Sequence, residues 1–161
     1  MLKQNNEVIK VIEVGQIAPD FTLRAHDGSD VSLGSFRGEK MVVLSLFPAA
    51  FTGGWTNQTS SLHRSIDRFE AKEAQVLGLS SDPVPSLRAW ATTLGGIKYP
   101  ILSDFHPQGA VLSQYGLLNE QSGTARRSAV VIDKQGVVKW VSAYEPGVVP
   151  TPDELLAVLD A

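Results

Sequence analysis

The 161-residue chain is 43% hydrophobic in the wide count and 19% charged, a composition that supports one domain over residues 1–161 with a substantial core. Its 14 basic and 17 acidic side chains leave a formal charge of -3, which gives no electrostatic reason to expect binding to nucleic acid or to an anionic membrane. The absence of cysteine excludes disulfides, thiolate chemistry and iron–sulfur ligation in this molecule.

The opening segment MLKQNNEVIKVIEVG lacks the continuous apolar run of a secretory signal, because Lys10 and Glu13 interrupt it. No stretch approaches the roughly 18 apolar residues of a membrane span, so a cytoplasmic protein is expected. Residues 8–14, VIKVIEV, predict a strand that ends at Gly15 and the bend around Pro19. The HDGS stretch at 26–29 predicts a turn, and Gly34 and Gly38 punctuate the next segment of chain. MVVLSLF at 41–47 is almost wholly apolar, as befits a central strand covered on both faces.

A helix is predicted next. Trp55, Thr59, Leu62, Ile66 and Phe69 recur at intervals of three and four, with His63, Arg64, Asp67, Arg68 and Glu70 on the other faces. This spacing puts Trp55 on the core-facing stripe. VLGLS at 76–80 predicts a second buried strand. In SDPVPSLRAWATTL, Ser81 or Asp82 is the expected N-cap and Pro83 the first helical residue, with Gly95 and Gly96 closing the helix. YPILSD predicts a short strand ending at Ser103 and Asp104, followed by a short helix over 106–114. SAVVID and VVKWV predict an antiparallel hairpin about Lys134, Gln135 and Gly136. Thr151 and Glu154 fit a capping box, Pro152 the first helical position, and Leu155, Leu156 and Leu159 an apolar face. No repeat or linker interrupts the order. Strand and helix alternate, then a hairpin and a last helix complete the chain, which predicts an α/β, thioredoxin-like fold: a central mixed β-sheet flanked by helices.

Residues 47–61, FPAAFTGGWTNQTSS, raise the functional question. A strand ends at a proline, a Thr-Gly-Gly bend comes after it, and a helix begins where a small nucleophile would be well placed. The residue there is Trp55. This stretch resembles the active-site signature of the peroxiredoxins of the alkyl hydroperoxide reductase and thiol-specific antioxidant group: proline, three residues, threonine, two residues, cysteine. Here it reads Pro48-Ala49-Ala50-Phe51-Thr52-Gly53-Gly54-Trp55, departing only at the nucleophile. GQIAPDFTL, YPILSD and RSAVVIDKQGVV extend the resemblance over roughly residues 13–141. The short C-terminal end is more similar to the bacterioferritin-comigratory and one-cysteine branches than to the typical two-cysteine members.

The resemblance implies a role for each matching position. Position 55 would hold the peroxidatic cysteine, where unpaired backbone amides and the helix dipole favour a thiolate. An indole cannot replace it, being a hydrogen-bond donor without a sulfur to oxidise. Thr52 would hold the peroxide and orient the thiolate; judged alone, its hydroxyl is equally a local cap or turn group. Pro48 would shield the reacting sulfur, and also terminates a strand for want of a donor. Arg127, six residues before Asp133, would stabilise thiolate and peroxide, and is preferred to Arg126; outside the motif, an arginine on a strand is ordinarily a solvated edge or an ion-pair partner. Ser60 stands where some relatives carry the resolving cysteine, and serine cannot form that disulfide.

The resemblance leaves two readings. In the first, the chain is a peroxiredoxin scaffold without its catalytic group, by engineering or by natural loss, and the full match around position 55 favours a modified form of an active peroxidase. The active parent would reduce hydrogen peroxide or organic hydroperoxides with electrons from a thioredoxin-like or small-thiol reductant, as a monomer or homodimer. The bulk of Trp55 then implies overpacking that distorts the first helical turn or holds it open. In the second, a natural non-enzymatic relative binds an anion through Thr52, Gly54 and Arg127, or a protein partner through an exposed Trp55. Trp90 and Trp140 are expected in packing. His26, His63 and His106 lack metal-ligand spacing and fit surface or capping roles, Asp104 with His106 being the thinnest of metal motifs; neither metal nor other cofactor is expected.

Overall fold

The computed structural model describes residues 2–4, 7–145 and 148–161. A hairpin of β1 (Leu2–Gln4) and β2 (Glu7–Ile9) opens the chain. The strand expected over 8–14 therefore stops at Ile9. Beyond it the backbone presses against Gly116, where any side chain would collide with the Lys10 carbonyl, and Ile12 donates to the Tyr115 carbonyl (3.1 Å) without joining a ladder. A second hairpin, β3 (Thr22–Ala25) and β4 (Asp30–Ser32), folds over the HDGS turn. Asp27 organises that turn by accepting from the Ser29 amide (2.9 Å) and hydroxyl (2.6 Å).

β5 (Met41–Leu46) leads to α1 (Gly53–Arg64) and α2 (Ile66–Glu70). The single helix expected here is broken at Ser65, whose amide is shared between the Ser61 and Leu62 carbonyls, both at 3.1 Å. The break leaves the predicted stripe intact, since Trp55, Thr59, Leu62, Ile66 and Phe69 are all buried. β6 (Ala74–Ser80) and α3 (Val84–Thr93) come next. The N-cap of α3 is Pro83, one or two residues later than expected, because the Asp82 side chain is committed elsewhere. β7 (Ile101–Ser103) precedes α4 (Ala110–Gln114), whose start is delayed by Gly109 in the left-handed region at φ 67. The pair β8 (Leu118–Asn119) and β9 (Thr124–Ala125) was not anticipated. The predicted hairpin appears as β10 (Ser128–Ile132) and β11 (Val138–Ala143), and α5 (Pro152–Asp160) has its capping box in full.

The main sheet runs β11-β10-β5-β6-β7-β3-β4. β5, β6 and β7 are parallel and the remaining pairs antiparallel, giving the thioredoxin-like mixed sheet that the element order predicts. Because side chains alternate along β5, Val42, Leu44 and Leu46 enter one core with Leu77, Leu79 and Tyr115. Val43 and Phe47 enter the other, with Trp55, Leu62, Phe69, Trp90 and Leu155. Each fully buried leucine contributes about 1.5–3 kcal/mol, so both faces of β5 hold it in place. Its C-terminal end thereby becomes a fixed platform. Among the described residues no helix is long and apolar enough to cross a membrane.

Candidate functional site

The site begins where β5 ends. Phe47 still donates to the Leu79 carbonyl (3.1 Å), but Pro48 has no amide proton and closes the ladder. Ala50 then donates to Asp82 Oδ2 (2.9 Å), an oxygen that also accepts from Ser80 Oγ (2.8 Å). Ser103 Oγ donates to the Asp82 carbonyl (2.6 Å). Asp82 thus ties the loop after β5 to the ends of β6 and β7. Phe51 turns the chain into the helix at φ 65 with 58% of its surface exposed. A non-glycine residue in this region stores of order 1 kcal/mol of strain, which the Asp82 anchor helps sustain.

Thr52 is the N-cap of α1, and its carbonyl accepts the first helical bond from Thr56 (2.9 Å). Its side chain does not cap the helix. Oγ1 donates instead to the Ala49 carbonyl at 2.7 Å, as a turn hydroxyl does. Among the described residues, the leading amides of α1 therefore have no side-chain acceptor. Val149 covers Gly54, its Cγ1 standing 3.7 Å from where a Cβ would be.

Trp55 is the third residue of α1 and only 3% exposed. Its ring lies 6.3 Å from that of Phe47, centroid to centroid, at an interplanar angle of 32°. Phe47 in turn meets Trp90 at 5.1 Å, and Trp90 Nε1 donates to Thr56 Oγ1 (3.2 Å). Three expectations are corrected here: the first turn of α1 is neither distorted nor open, and Trp55 is not a surface anchor. The indole replaces the small side chain by filling the second core, where its apolar area is more favourably placed than in water. Trp90 is fully buried and Trp140 half-buried against the same core, as expected.

Gln58, 2% exposed on α1, is a buried polar residue that sequence reasoning passed over. Its Nε2 has no hydrogen-bond partner among the described residues. The available signal was its place three residues after Trp55, on the same helical face. Ser60 is half-buried on α1, and the Thr59 carbonyl beside it accepts from the Tyr99 hydroxyl (3.3 Å). His26 and His63 serve as acceptors, from the Ile101 amide (3.1 Å) and the Lys98 amide (3.0 Å) respectively. Asp104 is buried and accepts from the Leu112 amide (2.8 Å), which anchors α4.

Arg127 reaches this region through strand pairing. Ser128 of β10 is the partner of Leu46 in β5, so the preceding residue comes out beside Phe47 and Pro48. Arg127 is half-buried, and its carbonyl accepts from the Tyr144 amide (2.7 Å). Pro48 and Arg127 line a common cleft of about 540 Å³ with Ser122, Thr124, Arg126 and Tyr144. Thr52, Gly54 and Trp55 are not among its lining residues. Burial pushes the Tyr144 phenol up to about 12. Tyr144 is therefore a neutral group at physiological pH.

A model of the AhpC/TSA family matches residues 14–141. The chain is 40% identical over 137 residues to alkyl hydroperoxide reductase E of Mycobacterium tuberculosis, covering 85% of this chain and 89% of that one. To peroxiredoxin 2 of Thermoplasma acidophilum it is 34% identical over 153 residues, 92% of this chain and 75% of the relative. Among solved structures, peroxidoxin BcpB of M. tuberculosis is similar with a TM-score of 0.83 at 30% identity, over 92% of this chain and 97% of that chain. Reduced 2-Cys peroxiredoxin of Plasmodium vivax gives 0.84 at 30% identity, over 92% and 80%.

Proposed function

This chain belongs to the AhpC/TSA family, and from that premise we propose that it is a thiol-peroxidase scaffold which, as written, turns over no peroxide. The carrying observation is Trp55, buried under an intact first helical turn in a chain without cysteine. In an active counterpart, a thiolate at position 55 attacks one peroxide oxygen. The O–O bond breaks, water or alcohol leaves, and the sulfur becomes a sulfenic acid that a thioredoxin-like or small-thiol reductant returns to thiol. Thr52 and Arg127 would position and stabilise the peroxide there, with Pro48 excluding water. Ser60 leaves no resolving thiol on α1. The setting we propose is the cytoplasm, with the chain as monomer or homodimer.

The test restores the electron donor. The purified chain is expected to consume no hydrogen peroxide or organic hydroperoxide beyond background when supplied with a thiol reductant. Trp55→Cys is expected to be oxidised rapidly by one equivalent of peroxide in stopped flow, with sulfenic acid trapped by a dimedone-type reagent. A folded Trp55→Cys protein that stays unreactive would remove the assignment of this site, and multiple turnovers by the cysteine-free chain would remove the claim of inactivity.

A second reading has its own support, because the Thr52 hydroxyl turns to Ala49 and leaves the N-terminus of α1 without a side-chain cap. In this reading the backbone about Gly54, with Thr52 and Arg127, receives an anion in a protein that performs no catalysis.

A further inference from the structure

The cleft beyond Pro48 has properties that the peroxide chemistry does not use. It measures about 540 Å³, within the range of pockets that enclose small organic molecules. Its charged lining residues are Arg126, Arg127 and exposed Glu145. Arg24 pairs with Asp30, Arg68 with Asp153, Lys72 with Asp160 and Lys134 with Glu73, and Arg127 is in none of these pairs. Arg127 thus borders this recess without an ion-pair partner among the described residues. A guanidinium is always charged, offers five donors in a planar fork, and is less strongly hydrated than an ammonium, so it pairs well with an oxyanion.

The same cleft is also lined by hydroxyl groups. Ser122 and Thr124 place their hydroxyl oxygens 2.7 Å apart. One hydroxyl proton is spent on that bond, so the other hydroxyl still has a proton to donate. The turn that carries them is fixed at several points. Gly123 donates to the Asn119 carbonyl (2.8 Å), Asn119 Oδ1 accepts from the Gln121 amide (3.1 Å), and Ser81 Oγ donates to the Gly123 carbonyl (2.8 Å). This last bond joins the turn to the end of β6, so the wall is held before any ligand arrives. Preorganised donors do not incur the ordering cost of a mobile loop.

We infer that this cleft is a binding site for a small molecule bearing a carboxylate or phosphate group, seated between the Arg127 guanidinium and the Ser122 and Thr124 hydroxyls. It shares Arg127 with the anion reading above, but Thr52, Gly54 and Trp55 are not among the residues that line it. Its occupancy does not depend on the chemistry at position 55.

Two-dimensional amide NMR of the full chain, titrated separately with inorganic phosphate and with succinate, tests this. Saturable shifts centred on Ser122, Thr124, Arg127 and Tyr144 are expected, and the tighter of the two probes identifies the head group. Arg127→Lys, which keeps the charge but loses the planar fork, is expected to weaken binding about tenfold. The paired change Ser122→Ala with Thr124→Ala is expected to weaken it several-fold. Shifts centred on Gly53 and Gly54, binding indifferent to both variants, or no saturation by either probe would overturn the inference. Peroxide reactivity of Trp55→Cys is read separately, so failure in the cleft and failure of the scaffold assignment are distinguishable.

Discussion

At position 55 the same backbone that can activate a sulfur carries a side chain serving as core. The indole is 3% exposed and rests on Phe47, so it belongs to the second core as fully as Leu62 or Phe69 do. Restoring a thiol therefore opposes stability. Trp55→Cys removes most of a large ring and leaves a cavity that neighbours on a rigid sheet refill only in part, at a cost of about 3 kcal/mol. Urea denaturation is expected to show a lower midpoint for the variant with an unchanged slope. An unchanged or raised midpoint would mean that the indole strains its surroundings after all. Thr52 shows a different compromise: a hydroxyl in position to cap α1 instead closes the preceding turn.

Among the elements, the loop between β5 and α1 depends most on a single distant group. The Asp82 carboxylate accepts from Ala50 and Ser80 together, and Ser103 holds the Asp82 backbone. Asp82→Ala leaves the half-buried Ala50 amide without its acceptor and is expected to cost about 1–3 kcal/mol. Hydrogen exchange at Ala50 and Phe51 should accelerate more than at Val43 or Val76 in the sheet, which separates local loosening from global destabilisation. The elements most legible in the sequence were those whose determinants are local. The apolar run of β5 and the Thr151–Glu154 box of α5 appear as read. Those that depend on distant partners were not legible. Asp82 looked like a helix cap until the fold supplied Ala50. The strand expected over 8–14 lost its ladder to the backbone approach at Gly116, and β8 with β9 is too short to leave a periodic trace. The site divides similarly. Pro48, Thr52 and Trp55 lie within eight residues and were found as a motif, whereas the cleft joining Pro48 to Arg127, Ser122 and Thr124 exists only because β10 pairs with β5.

Over the whole molecule, acid should weaken folding through a histidine far along the sheet from the site. His26 Nδ1 accepts from the Ile101 amide, so the β3 to β7 junction requires an unprotonated ring. Burial holds the imidazole below its ordinary 6.5, the Asp27 carboxylate pulls it back up, and the Arg88 guanidinium lowers it again. The unfolded chain therefore takes up this proton first as pH falls. The histidine's contribution is complete above about 6.5, declines below it, and levels off once the folded ring is also protonated. Urea unfolding across this window is expected to lose less stability in His26→Gln than in the parent chain. Equal slopes would show that other groups govern the window.

The packing of Phe47 between Trp55 and Trp90 has one more consequence. Two of the chain's three indoles converge on the residue immediately before Pro48, so the protein's own ultraviolet emission is concentrated at this corner. Any event that parts α1 from the sheet changes the surroundings of both fluorophores together, and the molecule carries its own optical gauge of that movement without a label.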